Sequence, residues 1–158
     1  MPIGIFDSFE RNARGRYQAM SKINRREARE TVVGLLFERE FRLDEDANSV
    51  YALAIEGREM PTNDYVNRAF FGVCDNLEKI DAVISSHSKG WRTDRLSKLS
   101  RSIIRLCVYE MLFEEDIPYS VSINEAVELS KKFDDDKARP FVNGLLNAVK
   151  VELEAEAK

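Results

Sequence analysis

Between residues 66 and 84 the apolar side chains Val66, Ala69, Phe70, Val73, Leu77, Ile80 and Ile84 recur at steps of three and four. That period paints one face of an α-helix and fits no strand, whose side chains alternate with period two. The stretch predicts one continuous amphipathic helix, closed at Lys89-Gly90. The rest of the chain keeps the same period. Asn24 and Glu27 have capping-box spacing, and Ala28, Val32, Leu35 and Leu36 carry a helix to about Phe41. After a polar loop over 44–48, a more weakly patterned helix runs over 49–58 through Val50, Leu53 and Ala54, and Pro61-Thr62 breaks it. A short amphipathic segment lies around Arg95 to Leu99, and Ser100 caps a helix through Ile103, Ile104, Leu106, Cys107, Met111 and Leu112, ended by Ile117-Pro118. Ser122 and Glu125 form a further capping box, with Val121 and Ala126 as its staple, opening a helix at Ile123 that continues to about Phe133. The last helix starts near Pro140 and carries Phe141, Val142, Leu145, Leu146, Val149 and Leu153; Gly144 inside it predicts close approach of a neighbouring backbone. No strand alternation and no internal repeat is visible, so the fold class is all-α.

With 158 residues, 44% of them hydrophobic and 33% charged, and with seven glycines and four prolines, the chain can bury one sizeable core and is not of disordered composition. No apolar run approaches the roughly 18 residues of a membrane span, and the N-terminus lacks the order of a secretory signal, so the expected location is the cytoplasm. The net charge of −4 hides an asymmetry: residues 11–29 hold seven basic residues (Arg11, Arg14, Arg16, Lys22, Arg25, Arg26, Arg29) and one acid, Glu27. An acidic chain with one basic arm suits a localised anion-binding surface, nucleic acid first, or a solvated tail. Residues 1–22 read as a flexible basic extension, with Met20 an alternative start, 23–150 as the helical domain, and 151–158 as the acidic end of its last helix.

The residues of catalysis are missing. His87 is the only histidine, Cys74 and Cys107 sit in apolar helical patterns, and no Gly-rich phosphate loop, nucleophile elbow or HExxH motif occurs. The acids Asp134, Asp135 and Asp136 lack the spaced ligands and turn glycine of a calcium loop and read as solvated. Glu110 and Glu114 lack the second carboxylate pair of a di-metal bundle. The expectation is a protein that is no enzyme, with no metal and no cofactor. What remains is a shoulder of the first helix where Lys22, Arg25, Arg26 and Arg29 cluster, with Phe37 on the side of Arg26. Arginine and lysine hold phosphates and an aromatic face stacks a splayed base; Phe37 fits that use or an ordinary core position.

The second half resembles the NusB family. Arg105-Leu106 with Tyr109-Glu110, then Ile117-Pro118, Ile123-Asn124-Glu125-Ala126-Val127-Glu128-Leu129 and Phe141-Val142-Asn143-Gly144-Leu145-Leu146 stand in that family's order at similar spacing, and Arg25-Arg26-Glu27-Ala28-Arg29-Glu30 is similar to its arginine-rich opening. The resemblance implies about seven helices in two packed three-helix bundles. It also implies a bacterial transcription antitermination factor that binds boxA-type RNA together with the small-subunit ribosomal protein NusE and promotes read-through by RNA polymerase, notably in ribosomal RNA operons. It carries RNA binding over to Arg25, Arg26 and Arg29, with Phe37 at an aromatic position, Lys22 extending the surface, and Lys137 and Phe141 beside it. The NusE contact carries over to Arg95, Ser100 and Arg101, although Ser100 stands where the family often has an acid. Members that self-associate cover the RNA surface, so a homodimer is a further expectation. Two other readings stand beside this one: a structural oligomerisation module, or an accessory RNA-binding domain serving a ribosomal RNA methyltransferase.

Overall fold

The computed structural model describes residues 9–11, 17–19, 23–87 and 96–157. Its helices are α1 (Arg25–Arg39), α2 (Ala47–Ala52), α3 (Asp64–Asp75), α4 (Leu77–Ser86), α5 (Lys98–Phe113), α6 (Tyr119–Phe133) and α7 (Ala138–Glu156), with one π-turn at Leu53–Gly57. The fold is all-α, as the periodicity predicts. One short addition precedes it: β1 (Phe9–Arg11) pairs antiparallel with β2 (Tyr17–Ala19) inside the stretch read as an extension. Strands of three residues are too short for alternation to register.

The chain divides into two compact units, Met1–Phe70 and Phe71–Lys158, the boundary falling within α3. In the first unit α1 buries Ala28, Val32, Leu35 and Leu36, the residues its period selects, and α2 packs on it through Val50. Asn24 opens α1 as expected: its Oδ1 accepts from the Glu27 amide at 2.8 Å while its Nδ2 donates to Glu27 Oε1 at 2.8 Å. The second helix differs from the reading over 49–58. Asp46 caps it two residues early by accepting from the Ser49 amide at 2.7 Å, and the π-turn then shifts the face by one residue. Ala54 and Ile55 become buried and Leu53 is turned out, 47% exposed. A period-3.6 template cannot anticipate that slip.

The stripe from Val66 to Ile84 forms two helices instead of one. Asn76 Nδ2 donates to the Gly72 carbonyl at 2.7 Å, taking the acceptor that its own amide would use, and that amide turns to the Val73 carbonyl at 3.2 Å. A side chain competing for an i−4 carbonyl is a known cause of a break. Because Ile80 resumes the ladder on the Asn76 carbonyl at 2.9 Å, the apolar phase survives the break and hides it.

In the second unit α5, α6 and α7 contact one another, and α4 lies on α5 and α7. The residues that carry the family resemblance fasten these helices. Arg105 forks onto Asp81, Nε to Oδ1 at 2.9 Å and Nη2 to Oδ2 at 2.8 Å, tying α5 to α4. Ser122 Oγ donates to the buried Glu110 carboxylate at 2.7 Å, tying α6 to α5. Ser122 is therefore not a cap: α6 begins earlier, at Tyr119 after Pro118, and Val121 is exposed rather than stapled. Ser97, not Ser100, caps α5, its Oγ accepting from the Ser100 amide at 3.0 Å. His87 is half-buried and its Nε2 pairs with Glu152 of α7. Cys107 is buried, its thiol 3.7 Å from the Met111 sulfur, and Cys74 is partly covered. Neither forms a disulfide.

Gly144 corrects the close approach expected of it. A Cβ built there meets nothing within 4 Å. Gly144→Ala should therefore raise stability by about 0.5–1 kcal/mol through helix propensity alone, which a urea melt reads directly. A lower midpoint would show that a neighbour does occupy that space. Gly72 is the opposite case, because its Cβ would run into the Tyr109 ring, 2.9 Å from Cζ.

Candidate nucleic-acid interface

The cap at Asn24 places Arg25 and Arg26 at the first two positions of α1, and both side chains are exposed. Arg29, one turn on, is only 5% exposed, so its guanidinium is part of the first unit's interior edge. Cations at a helix N-terminus oppose the macrodipole, typically by 0.3–1 kcal/mol each. Arg25 and Arg26 are thus held where the helix itself favours an anion.

Beneath them lies a residue that the sequence reading missed. Tyr65 stands at the second position of α3, whose start is held by Asn63 Oδ1 accepting from the Val66 amide at 2.9 Å. Just before it, Thr62 Oγ1 and the Tyr51 hydroxyl share a hydrogen bond of 2.6 Å. The Tyr65 ring is 3% exposed, and its centroid lies 4.3 Å from Arg25 Cζ, 5.9 Å from Arg68 Cζ and 6.0 Å from Arg29 Cζ. Arg68 was also missed. It sits one turn along α3 from Tyr65, a spacing visible in sequence, but no pattern in one chain says which face of α3 meets α1.

At the other end of α1, Phe37 is 37% exposed and meets Phe41 edge to face, with centroids 5.1 Å apart; Phe41 is 65% exposed. Phe37 is thus not an ordinary core aromatic. Beside it Glu38 receives a two-pronged contact from Arg58, Nη1 to Oε1 at 2.9 Å with Nη2 on Oε2. That hydrogen bonding holds the Glu38 carboxyl below the usual carboxylate range and raises the Arg58 guanidinium. Asp46 is likewise lowered, first by the backbone hydrogen bond from Ser49. Lys22, assigned to this surface from sequence, lies outside the described residues.

The second unit holds the other assigned residues. Lys137 is exposed at the start of α7, its amide donating to Asp135 Oδ1 at 3.1 Å, and Phe141 is exposed one turn further on. Of the partner-binding set, Arg95 lies outside the described residues, Arg101 is half-buried, and Ser100 is buried with its Oγ donating to Asp134. Asp134 therefore brings a carboxylate to Ser100 at the start of α5, which no spacing in the sequence announces. Among the described residues no group of three His, Cys, Asp or Glu side chains could hold a metal ion, and no helix is long and apolar enough to cross a membrane.

Comparison with known proteins bears on this geometry. The model of the NusB family matches residues 26–150. The transcription antitermination protein NusB of Bacillus licheniformis is 42% identical over 132 residues, covering 84% of this chain and 100% of the relative. That of Bacillus subtilis is 39% identical over 132 residues, covering 84% and 98%. Among solved structures, T. maritima NusB superposes with a TM-score of 0.73 at 36% identity, over 82% of this chain and 92% of that one. A crystal structure of the antitermination factors NusB and NusE in complex with double-stranded RNA matches with a TM-score of 0.69 at 29% identity, over 79% and 94%.

Proposed function

Since the chain belongs to the NusB family, we propose that it is a cytoplasmic transcription antitermination factor that binds boxA-type RNA jointly with NusE and promotes read-through by RNA polymerase, notably in ribosomal RNA operons. The observation that carries this reading is the pair of exposed arginines at the first two positions of α1, set where the helix dipole disfavours them and favours a phosphate. Arg25 and Arg26 meet the phosphate backbone directly, Arg29 adds charge from beneath, and Lys22 extends the surface. Phe37, 37% exposed, offers its ring to an unstacked base, which favours single-stranded RNA over a duplex. On the second unit, taken by itself, Lys137 and Phe141 are assigned to RNA, and Arg95, Ser100 and Arg101 to NusE. Support for the joint assembly comes from the likeness to NusB solved with NusE and RNA. The protein contributes binding and no catalytic step.

The test is fluorescence anisotropy with boxA RNA, a scrambled RNA and a boxA duplex, with and without NusE, at two salt concentrations. The expected result is tightest binding of single-stranded boxA, strengthened by NusE and weakened by salt, because each neutralised phosphate releases counterion. Equal affinity for boxA and scrambled RNA with NusE present overturns the boxA reading, and preference for the duplex overturns the role given to Phe37.

A further inference from the structure

Resting on the RNA-binding reading above, we propose that the buried ring of Tyr65 gathers Arg25, Arg29 and Arg68 into one phosphate-binding cluster, and that Arg68, which lies outside the arginine-rich run, is itself an RNA-binding residue. All three guanidinium carbons lie within 6.0 Å of one ring centroid. Like charges collected this closely repel one another, and an aromatic face among them offsets part of that repulsion. The π-face carries a partial negative charge and attracts a guanidinium at up to about 6 Å from its centroid, most strongly where water is excluded. At 3% exposure the ring is dry on nearly every side and has no free face for a base, which leaves it the role of positioning its neighbours.

The three arginines reach that ring from two helices, Arg25 and Arg29 from the opening of α1 and Arg68 from α3. Arg25 is the closest and is exposed; Arg68 is exposed on the neighbouring helix; Arg29 is buried. The charge of the arginine run is thereby carried onto α3, and a phosphodiester at the start of α1 feels guanidinium groups from both helices. Arginine suits this task better than lysine, since its planar fork engages a phosphate through two parallel hydrogen bonds while its face stays on the ring. The ring attraction offsets part of the mutual repulsion in the free protein, and a bound phosphate removes more of it.

The experiment measures boxA RNA affinity against salt for the full chain as wild type, Arg25→Ala, Arg68→Gln, Tyr65→Phe, and a variant carrying pentafluorophenylalanine at position 65. The fluorinated ring keeps the size of the aromatic and reverses its quadrupole, so packing is retained while the attraction is removed. Arg68→Gln is expected to bind about tenfold more weakly and to flatten the slope of log affinity on log salt by about 0.7, the contribution of one phosphate on a single strand. The fluorinated variant should lose about fivefold, and Tyr65→Phe, which keeps an electron-rich face, should restore most of that loss. A purely structural ring would move affinity only in step with thermal stability and would leave the salt slope alone. If wild type binds and Arg25→Ala loses affinity while Arg68→Gln and the fluorinated ring leave affinity and slope unchanged, this proposal is overturned and the RNA reading stands. If wild type binds no RNA, the reading itself is overturned and the cluster's role falls with it.

Discussion

A protein carrying both Arg25→Ala and Arg26→Ala is expected to bind boxA-type RNA about a hundredfold more weakly than wild type while becoming slightly more stable. The binding loss follows from two charge-assisted contacts worth about 1.5 kcal/mol each, since 1.4 kcal/mol is a factor of ten. The salt slope should flatten by about 1.4, two phosphates on a single strand. The stability gain has a separate origin. Both arginines occupy the first turn of α1, where a cation opposes the helix dipole by about 0.3–1 kcal/mol, and alanine is the better helix former. Losing the contact of Arg25 with the Tyr65 ring, 4.3 Å away, offsets some of that gain. Anisotropy titrations and urea melts on one preparation read the two quantities together. Opposed signs mark residues kept for a ligand at some expense of the fold. A double variant that binds RNA like wild type would remove α1 from the interface, and one that loses binding and stability together would make the arginines structural. Arg29→Ala cannot make this separation, because a 5% exposed guanidinium takes packing with it when removed.

The features that sequence alone discloses are those that repeat or that close a short local circuit. The stripes of α1 and of the Val66–Ile84 stretch are periodic, and all the residues the period selects there are buried except Leu77, which is partly exposed. The Asn24–Glu27 box spans four residues, and its cap forms as written, with Glu27 answering through the Asn24 side-chain amide. Where two local solutions compete, pattern reading fails: Ser97 and Ser100 are both serines able to cap α5, and only the presence of Asp134 decides that Ser100 turns inward. Ser122 likewise gives up the cap because the buried Glu110 carboxylate needs a donor. Asn76 breaks its helix without disturbing the apolar phase, so no periodicity could show it. The candidate site follows the same division. Its basic run is contiguous and legible, whereas Tyr65 and Arg68 come from another helix and join it only through packing. The family signature at Arg105 and Glu110 is legible for yet another reason, namely that it records fastenings between helices of the second unit rather than a ligand site.

Phe70→Ala is expected to cost about 3–5 kcal/mol, the usual range for removing a fully buried phenylalanine. Phe70 is 0% exposed, and its ring stacks on Tyr51 with centroids 5.9 Å apart and planes 28° from parallel. Against a typical domain stability of 5–15 kcal/mol this is a large fraction, and with a urea slope of about 1–3 kcal/mol per molar the midpoint should fall by roughly 2 M. The consequence reaches the interface by a traceable route. Without the Phe70 ring, Tyr51 loses its stacking partner; its hydroxyl shares a hydrogen bond with the buried Thr62, and Thr62 immediately precedes the cap of α3 that sets Tyr65 and Arg68 in place. Part of the loss should therefore be recoverable by ligand. RNA present at a hundred times its dissociation constant stabilises whatever binds it by about 2.7 kcal/mol, so the variant's melting temperature should climb with boxA RNA and not with a scrambled strand. A variant melting within a degree of wild type would mean that the stripe at Phe70 does not close the core of the first unit. A destabilised variant that gains nothing from RNA would mean that the arginine cluster no longer binds it, whereas one that binds RNA as tightly as wild type would uncouple that core from the cluster, and the route through Tyr51 and Thr62 would be wrong.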